Sequence, residues 1–525
     1  MAAQVANTGS VLGTVTDQSG AVIAGASVVL KSLTTGMVSS AQTDASGSYR
    51  FPIVSVGNHE LEITMKSFKK FVQHDFTVNA LSNIRINAVL AVGDTAEQVI
   101  VEASPSSVET VTASEGNTVS GTQVNTLPLT NRVFTQLVTL EPGVSSAINQ
   151  TPGFGSNSSV GFSINGVRSD QNNVLVDGVR NVDTFGGNAY VTPNLFAVSE
   201  FRIESNAYSA SVGHSAGGQV NLISRNGTNE FHGNVFEFFR NDKMNASNFF
   251  SHEVAKTRYN NFGYDVGGPI KKDKLFFFWS QEWRRFIMSP GSPLALLPTE
   301  AQKAGDFSGL ATIIDPATGN PFPGNKIPAS RIDTNAQLLL KNYFPDPLSG
   351  FHQGVYNYVS SFSNFDKWRQ ESIRTDYKWN DKFSIYGRYT QDSALLDRPY
   401  GQWGENSIPN YGASEQDFPM YHAVLHGTYV VSPSLISEFN TGVYYANDKA
   451  IRNLELSSRS RVPGLHIPEL YDLNMGDRIP TLYFWGSYTG LVNQWYFHNY
   501  AYHIPVENSN TWIHGNHTFK FGVSY

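Results

Sequence analysis

The stretch LISEFNTGVYY, residues 435–445, alternates apolar or aromatic residues with polar ones, and this pattern decides the fold. Phe439 and Val443 fall on one side of the alternation, and Glu438 falls on the other. Successive side chains of a β-strand point to opposite faces of its sheet, so such a strand has one apolar and one polar face. Two further stretches alternate in the same way, residues 383–390 and 518–525. The pattern predicts strands that place one face against lipid and the other against water.

The connections between these strands alternate strictly between short and long. The short polar turns are at residues 271–273, 379–381, 432–433 and 515–516. The long connections are at residues 242–257, 288–365, 395–415 and 448–505. Outer-membrane β-barrels have short turns at the periplasmic rim and longer loops outside. We therefore expect about nine antiparallel barrel strands, from residues 229–241 to residues 517–525.

The composition narrows the possible classes of function. Charged residues make up 15% of the 525 residues, against roughly 25% in soluble globular proteins. The net charge of −7, without a basic run, gives no indication of a nucleic-acid footprint. The absence of cysteine excludes a disulfide framework and thiolate zinc sites, and neither a metal-ligand spacing nor a cofactor motif occurs. No apolar run approaches the roughly 18–20 residues that a transmembrane helix needs.

Residues 9–92 contain short alternating runs separated by Gly and Asp turns, a spacing that predicts a small β-sandwich. The motif residues are Gly13, Val15, Asp17 and Gly20, then Gly25, Ala26 and Val28, then Thr43, Asp44, Gly47, Tyr49 and Phe51, then Gly57. In this order they resemble the carboxypeptidase regulatory-like (transthyretin-like) domain. The resemblance implies a non-catalytic module.

Residues 113–227 carry an ordered set of short motifs and a helix-like segment at 133–140. The motifs are Asn165-Gly166-Val167-Arg168, Val174-Leu175-Val176-Asp177-Gly178-Val179, Ile203-Glu204, Gly213, Gly217-Gly218 and Asn221-Leu222-Ile223. Their order resembles the plug domain of TonB-dependent receptors, although Gln219 stands where many relatives have a small residue. The three motif glycines suit tight turns at which the backbone passes close to another strand. Asp177 is expected to be a turn residue and not an acid catalyst.

The first barrel hairpin resembles that of the Oar-like branch of TonB-dependent receptors, whose members also carry the regulatory-like sandwich. The matching residues are Gly267-Gly268-Pro269-Ile270 and Lys274-Leu275-Phe276-Phe277-Phe278. Members of that branch are about twice as long and have a 22-stranded barrel. We therefore expect this chain to be the N-terminal part of such a protein, with a signal peptide upstream of its first residue.

The resemblance implies a periplasmic segment that TonB captures and pulls. TonB binding by β-augmentation needs an unpaired, β-branched, Pro-free stretch beside a flexible linker. The best candidate is Glu97, Gln98, Val99, Ile100 and Val101, followed by a Ser/Thr/Pro-rich linker. The alternatives are that this segment is the last strand of the sandwich or a plain interdomain tether.

Substrate contacts are expected in the long loops, where aromatic side chains could stack on sugars or aryl groups. The candidates are Trp403, Trp485, Tyr488, Trp495 and Tyr496. The alternative is that these aromatic residues form an interfacial girdle or pack the loops. The pair His422 and His426 is spaced too widely along a strand to share one ion. No nucleophile elbow or phosphate loop occurs, so we do not expect an enzyme.

Together the patterns predict an all-β fold with a transthyretin-like sandwich, an α+β plug and a partial antiparallel outer-membrane barrel. The expected boundaries are residues 9–92 for the sandwich, 93–112 for the TonB box and linker, 113–227 for the plug and 228–525 for the barrel. The expected function is TonB-dependent import of a large or scarce solute across a bacterial outer membrane. The expected partners are TonB, outer-membrane lipid and an unidentified solute. The alternatives are an envelope adhesion or secretion-associated barrel and a soluble multi-sandwich binding protein.

Overall fold

The computed structural model describes most of the chain and has the predicted all-β fold. The described residues are 8–94, 97–101, 114–129, 132–146, 161–182, 189, 191–208, 213, 215–249, 252–401, 404, 406–411, 413–432, 434–452, 458–468, 477–484, 488–492, 498–514 and 517–525. None of the helices within these residues is long and apolar enough to cross a membrane.

The first unit is a β-sandwich. Its strands are β1 Thr8–Asp17, β2 Ser27–Ser32, β3 Val38–Gln42, β4 Ser48–Ser55, β5 Gly57–Thr64, β6 Lys70–Val78, β7 Asn83–Arg85, β8 Ala88–Leu90 and β9 Gln98–Val101. One sheet has the order β4-β1-β7, with β8 also paired to β1, and the other has the order β3-β2-β5-β6-β9. Leu61 and Ile63 have no exposed surface, whereas Glu62 between them is partly exposed. The predicted alternation therefore buries a core between the two sheets.

The Asp residues of the sandwich motif close its turns. The Oδ1 atom of Asp17 accepts hydrogen bonds from the backbone N–H groups of Ser19 at 2.8 Å and Ala21 at 2.9 Å. Asp44 does the same for Ser46 at 2.8 Å and Ser48 at 3.0 Å. Such Asx turns explain why Asp stands at both positions.

The second unit is the α+β plug. Its elements are β10 Glu115–Ser120, α1 Gly121–Thr126, α2 Thr135–Val138, β11 Val144–Ser146, β12 Phe162–Ile164, β13 Asn173–Val176, β14 Val179–Arg180, β15 Val198–Asn206 and β16 Gln219–Ser224. The main sheet has the order β10-β15-β16-β13-β14 and is antiparallel except between β13 and β16. Ser120 and Gln123 form a capping box that starts α1. The predicted helical segment 133–140 contains only the four-residue α2.

The third unit is one large antiparallel sheet with its loops. Its elements are β17 His232–Asn241, β18 Thr257–Lys271, β19 Leu275–Met288, β20 Leu294–Ala295, α3 Glu300–Lys303, α4 Thr334–Tyr343, β21 Tyr358–Val359, β22 Asn364–Lys378, β23 Phe383–Arg398, β24 Ser414–Ser432, β25 Leu435–Arg452, β26 His498–His503, β27 Val506–His514 and β28 His517–Ser524. The sheet has the order β17-β18-β19-β22-β23-β24-β25-β27-β28. The strands β27 and β26 pair with successive parts of β25, so together they fill one strand position. The described residues thus give nine strand positions, as the sequence predicts.

The two faces of the large sheet differ as the alternation predicts. On β23 the side chains of Arg388 and Thr390 are buried on the inner face, whereas Tyr389 is 42% exposed on the outer face. On β25 the inner Glu438 is buried and the outer Phe439 is exposed. The polar inner face is the one that the plug contacts.

The long connections between the barrel strands pack against one another. The pair β20–β21 and the helix α4 lie in the loop between β19 and β22. Loop residues share a hydrophobic core made of Ala295, Leu297, Tyr343, Phe344, Ile408, Tyr411, Val462, Leu465, Ile479 and Leu491. We call this assembly the loop cap. The residues of this core come from three connections, so the core forms only where those connections meet.

The sandwich lies at the end of the sheet that carries the short turns. The backbone N–H of Asn229 donates to the carbonyl of Thr34 at 2.9 Å. The N–H of Ala80 donates to the carboxylate of Glu200 in the plug, and the guanidinium of Arg50 contacts Thr518 on β28. Sandwich, plug and turns together line a cleft of about 760 Å³.

Candidate functional site

The hairpin between β13 and β14 turns at Asp177 and Gly178. Both residues have positive φ angles, 52° and 79°. A two-residue hairpin loop with positive φ at both positions is a type I′ turn, which favours Asn-Gly or Asp-Gly. The sequence-based expectation that Asp177 is a turn residue agrees with this geometry, but the turn is only part of its role.

The carboxylate of Asp177 joins the plug to the barrel wall. It has no exposed surface. It accepts hydrogen bonds from the backbone N–H of Ser224 at 2.9 Å and from the Nε of Arg388 at 2.5 Å, and the Nη1 of Arg374 lies 3.7 Å away. Burial alone would raise the pKa of Asp177, but Arg388 and Arg374 outweigh burial and hold the pKa below its ordinary value.

Arg374 and Arg388 face each other on neighbouring strands. They are register partners in the β22–β23 ladder, and both point inward. Like charges in this position repel. Asp177 lies against both guanidinium groups, and Asp376 accepts from the Nη2 of Arg374 at 2.7 Å. Two buried cations are therefore balanced by two carboxylates, of which the plug supplies one.

A second polar junction joins the plug to Gln370 on β22. The backbone N–H of Asn194 donates to the Oε1 of Gln370 at 2.6 Å, and the Nε2 of Gln370 donates to the carbonyl of Thr192 at 3.0 Å. The same Nε2 donates to Asp392 at 2.6 Å. The side-chain amide of Gln370 thus accepts from a plug N–H and donates to a plug carbonyl, as the backbone of a neighbouring strand would.

Arg132 anchors the plug against the first barrel strands. Its guanidinium lies 3.8 Å from the ring centre of Phe238 and 5.3 Å from that of Phe196. Phe196 of the plug also stacks on Phe236 of β17, with 4.3 Å between ring centres. Cation–π contacts of this kind are strongest where water is excluded.

Two of the three motif glycines, Gly217 and Gly218, lie where backbone and side chains approach closely. A Cβ atom on Gly218 would lie 2.5 Å from the Cδ1 of Ile164, and one on Gly217 would lie 2.3 Å from the Oδ1 of Asn172. Gly213 is exposed. The first two positions leave no room for a side chain, which accounts for glycine there.

Comparison with known proteins identifies the large sheet. Residues 223–525, more than half of the chain, match the family model described as outer membrane beta barrel domain. The chain belongs to this family. Residues 10–91 match the carboxypeptidase regulatory-like domain. The chain is therefore an outer-membrane protein with a regulatory-like sandwich, as the sequence predicts.

The relatives of this outer-membrane barrel include transporters. The TonB-dependent transporter Oar of Myxococcus xanthus is 29% identical over 253 residues, which cover 45% of this chain and 23% of that protein. The chain thus matches less than a quarter of that relative's length. The resemblance to TonB-dependent receptors of the Oar-like branch is confirmed, and a transporter as relative agrees with the expectation that the chain is not an enzyme.

Solved structures also resemble the barrel chain. The outer-membrane transporter YddB of Escherichia coli aligns with a TM-score of 0.48 and 10% identity, over 78% of this chain and 47% of that one. The ferric enterobactin receptor PfeA of Pseudomonas aeruginosa aligns with a TM-score of 0.37 and 12% identity, over 78% of this chain and 56% of that one.

The TonB-box candidate is a paired strand of the outer-membrane protein's sandwich. Residues Gln98–Val101 form β9, which runs parallel to β6 with Lys70 opposite Gln98 and Gln73 opposite Val101. The carbonyl of Glu97 accepts from the N–H of Lys70 at 2.9 Å. The expectation of an unpaired segment is therefore wrong, because the edge of β6 offers backbone partners to the same β-branched residues that would suit TonB.

The strand β9 is nevertheless only weakly attached to the sandwich. It pairs along one edge and ends its sheet on the other. Val99 is 40% exposed and Ile100 is 52% exposed. The alternative that the segment is the last strand of the sandwich describes its geometry, while its recognition by TonB stays a prediction.

Most of the aromatic loop candidates lie outside the described residues, namely Trp403, Trp485, Trp495 and Tyr496. Tyr488 is described, and its ring meets that of Phe484 edge-on at 6.5 Å between centres. Phe484 in turn contacts Phe344 of the loop cap. The geometry at Tyr488 therefore matches the alternative of loop packing, and its role in substrate contact stays a prediction.

The two histidines of β24 lie on the inner face of the barrel. The Nδ1 of His422 lies 2.6 Å from the Nη2 of Arg388, and His426 lies 3.1 Å from Thr428. Among the residues that the structure describes, no three His, Cys, Asp or Glu side chains are grouped to hold a metal ion. Sequence reasoning placed Arg388 inward by its alternation but could not pair it with Asp177, because 211 residues separate the two.

Proposed function

We propose that the chain is the N-terminal part of a TonB-dependent transporter that imports a large or scarce solute across the outer membrane. The plug closes the barrel at rest, and force transmitted by TonB from the inner membrane displaces it. The sandwich stands on the periplasmic side, and its last strand, β9, is the segment that TonB captures.

The observation that carries this proposal is the polar junction between plug and barrel. Asp177 meets Arg374 and Arg388, and Gln370 binds the backbone of Thr192 and Asn194. Water can replace these hydrogen bonds when the plug moves, so the net cost is about 0.5–1.5 kcal/mol for each neutral bond and about 1.5–3 kcal/mol for each bond to a charged group. A plug held by a continuous apolar core would be far harder to displace reversibly.

The proposed coupling segment is residues 97–101. TonB would add a strand to the free edge of β9 by β-augmentation, which uses backbone hydrogen bonds and tolerates varied side chains. The load then passes along the Ser/Thr/Pro-rich linker to β10, the first strand of the plug. Since β9 pairs with β6 on one side only, force can also peel it from the sandwich.

The solute would enter from the side of the loop cap. The proposed contacts are the aromatic residues Trp403, Trp485, Tyr488, Trp495 and Tyr496. Aromatic rings of this kind suit stacking on sugar or aryl rings.

The proposal is tested by substituting Ile100→Pro in the full-length protein, because the backbone N–H of Ile100 faces the free edge of β9, whereas that of Val99 faces β6. Proline removes a backbone donor and cannot continue an added ladder. We expect the affinity for the purified periplasmic domain of TonB, measured by isothermal titration calorimetry, to fall at least tenfold.

The matched control is Ser107→Pro, which adds a second proline to a linker that already contains Pro105. This variant should bind TonB as the unmodified protein does. Equal binding by the Ile100→Pro variant would refute the coupling segment. An adhesion or secretion-associated barrel predicts that none of the three proteins binds TonB.

A further inference from the structure

The outer face of the barrel carries two opposed cations near the loop end of its strands. Arg285 on β19 and Lys367 on β22 are direct register partners, and both are exposed. Asn260 on β18 is the register partner of Arg285 on its other side and is exposed as well. The row Asn260–Arg285–Lys367 therefore presents hydrogen-bond donors across three strands, and we call it the donor row.

The donor row lies at the level of the outer lipid headgroups. Arg285 is ten residues beyond Leu275, the first residue of β19 after its short turn (275 to 285). At roughly 3.3 Å per residue and a strand tilt of about 40°, this places Arg285 about 25 Å above the periplasmic rim. The apolar band of outer-membrane barrels is about 25 Å tall. The two cations thus stand where the band meets the outer interface.

The charges of the donor row are not compensated by protein carboxylates. The neighbouring outward cations have partners, since Arg369 contacts Glu371 and the Nε of Arg258 lies 3.6 Å from Asp242. Within the described residues neither Arg285 nor Lys367 forms an ion pair. Their charged groups lie instead over rings, Arg285 at 5.9 Å from Phe262 and Lys367 at 5.0 Å from Phe365.

Opposed like charges destabilise a strand pair unless an anion lies between them. Cβ atoms of opposed residues in an antiparallel pair are about 5 Å apart, so one phosphate can reach both side chains. A phosphate monoester carries about −1.5 to −2 charges near neutral pH, which matches the two cations. The donor row therefore has the spacing and the charge of a phosphate site.

The surface below the donor row suits acyl chains. Phe262 and Trp283 stack next to it, with 5.4 Å between ring centres. Further toward the periplasm, Val266 is 36% exposed and Ile373 is 39% exposed on the same outer face. A ligand with a phosphorylated head and hydrocarbon tails below fits this order, whereas a free phosphate would use only the head position.

We propose that Arg285 and Lys367, with Asn260, bind a phosphate of lipid A, the phosphorylated glycolipid of the outer leaflet, while Trp283 and its neighbours contact the acyl chains. The site lies on the lipid-facing wall, away from the plug and the loop cap. It would fix an annular lipid on β18, β19 and β22 and would act independently of transport.

The test titrates fluorescent bisphosphorylated lipid A into the detergent-solubilised protein and follows anisotropy. The double variant Arg285→Gln/Lys367→Gln should bind at least tenfold more weakly, and each single variant should bind more weakly than the unmodified protein. The matched control is Lys449→Gln on β25, an outer-face lysine whose register partner is Asp417. This control should bind within twofold of the unmodified protein. The single variants retain half of the donor pair and keep the test valid should the double variant not fold.

Two further arms identify the ligand. Lipid A stripped of its phosphates should bind the unmodified protein as weakly as bisphosphorylated lipid A binds the double variant. Inorganic phosphate at millimolar concentration should not compete. Undiminished binding by the double and single variants would overturn the proposal, as would equal binding of the stripped lipid. Efficient competition by inorganic phosphate would also overturn it, because the site would then bind the free ion.

Discussion

At the scale of single residues, Asp177 holds the most demanding position in the described chain. Its turn requires a positive φ, and its carboxylate lies fully buried against Arg374 and Arg388. A buried charge is tolerated only when it is paired and hydrogen-bonded. Sequence alone identified Asp177 through its Asp-Gly turn, but the ionic role needed the folded barrel to bring β22 and β23 to the plug.

We predict that Asp177→Asn loosens the plug. Asn keeps a hydrogen-bond acceptor for Ser224 but leaves one carboxylate, that of Asp376, against two opposed guanidinium groups, so the free energy of unfolding should fall by about 3–5 kcal/mol. Urea unfolding in detergent micelles, followed by protease sensitivity of the plug, measures the loss.

Two variants serve as controls for Asp177→Asn. Asp381→Asn changes a turn carboxylate whose side chain is 88% exposed, and it should cost under about 0.5 kcal/mol. The double variant Asp177→Asn/Arg388→Gln should recover part of the loss, because one unpaired cation is removed with the anion. Full stability of Asp177→Asn would mean that the junction contributes nothing.

At the scale of elements, the loop cap shows how segments that are irregular one by one become ordered together. Asp333 caps the N-terminus of α4 by accepting from the N–H of Ala336 at 3.1 Å, yet α4 buries Tyr343 only against other connections. The length of each connection was readable from the strand pattern. The shared core was not, because its residues come from three connections and follow no single period.

We predict that Leu491→Ala opens the loop cap without unfolding the barrel. Leu491 has no exposed surface in the cap core. Truncating a buried leucine costs about 2–5 kcal/mol, and the loss falls on the cap because Leu491 belongs to the cap core. Protease added to intact cells should cut the loops at least tenfold faster, while the barrel keeps its heat-modifiable mobility on gels.

The control for Leu491→Ala is Leu310→Ala. Leu310 lies in the same set of loops and is 52% exposed, so its truncation should leave the cutting rate unchanged. Equal rates for both variants would show that the cap core does not stabilise the loops.

At the scale of the whole molecule, we expect the contact between sandwich and plug to depend on pH. Burial raises the pKa of Glu200 to about 7, although the N–H of Ala80 and the charge of Arg202 act in the opposite direction. A carboxyl whose pKa is higher in the docked state stabilises docking below its ordinary pKa of 4.5, and this contribution is lost as pH rises through 7.

We predict that the docked fraction of the sandwich falls between pH 5 and pH 8. If undocking restores the ordinary pKa of Glu200, the docking free energy changes by at most about 3 kcal/mol over this range. The chain contains no cysteine, so spin labels on Lys31→Cys and Lys272→Cys report the distance without interference. The variant Glu200→Gln should stay docked at both pH values.

The matched control for Glu200→Gln is Glu115→Gln, which changes an exposed glutamate of the same plug sheet. It should keep the pH dependence of the unmodified protein. Were Glu200→Gln to keep that dependence as well, another group would control docking.

The sequence by itself determined which residues form strands, which face of each strand is apolar, and where the short turns and long connections fall. These properties are local, because the period of two and the turn residues act within a few positions. The sandwich and plug motifs were readable for the same reason.

Only the tertiary structure decided the contacts between distant segments: Asp177 with Arg374 and Arg388, β9 along the edge of β6, and the core of the loop cap. The sequence suggested a free Glu97–Val101 segment, but an unpaired strand beside an open sheet edge gains backbone hydrogen bonds by joining it. Hydrogen bonding and burial act on whatever the fold brings together, and no local pattern records which segments will meet.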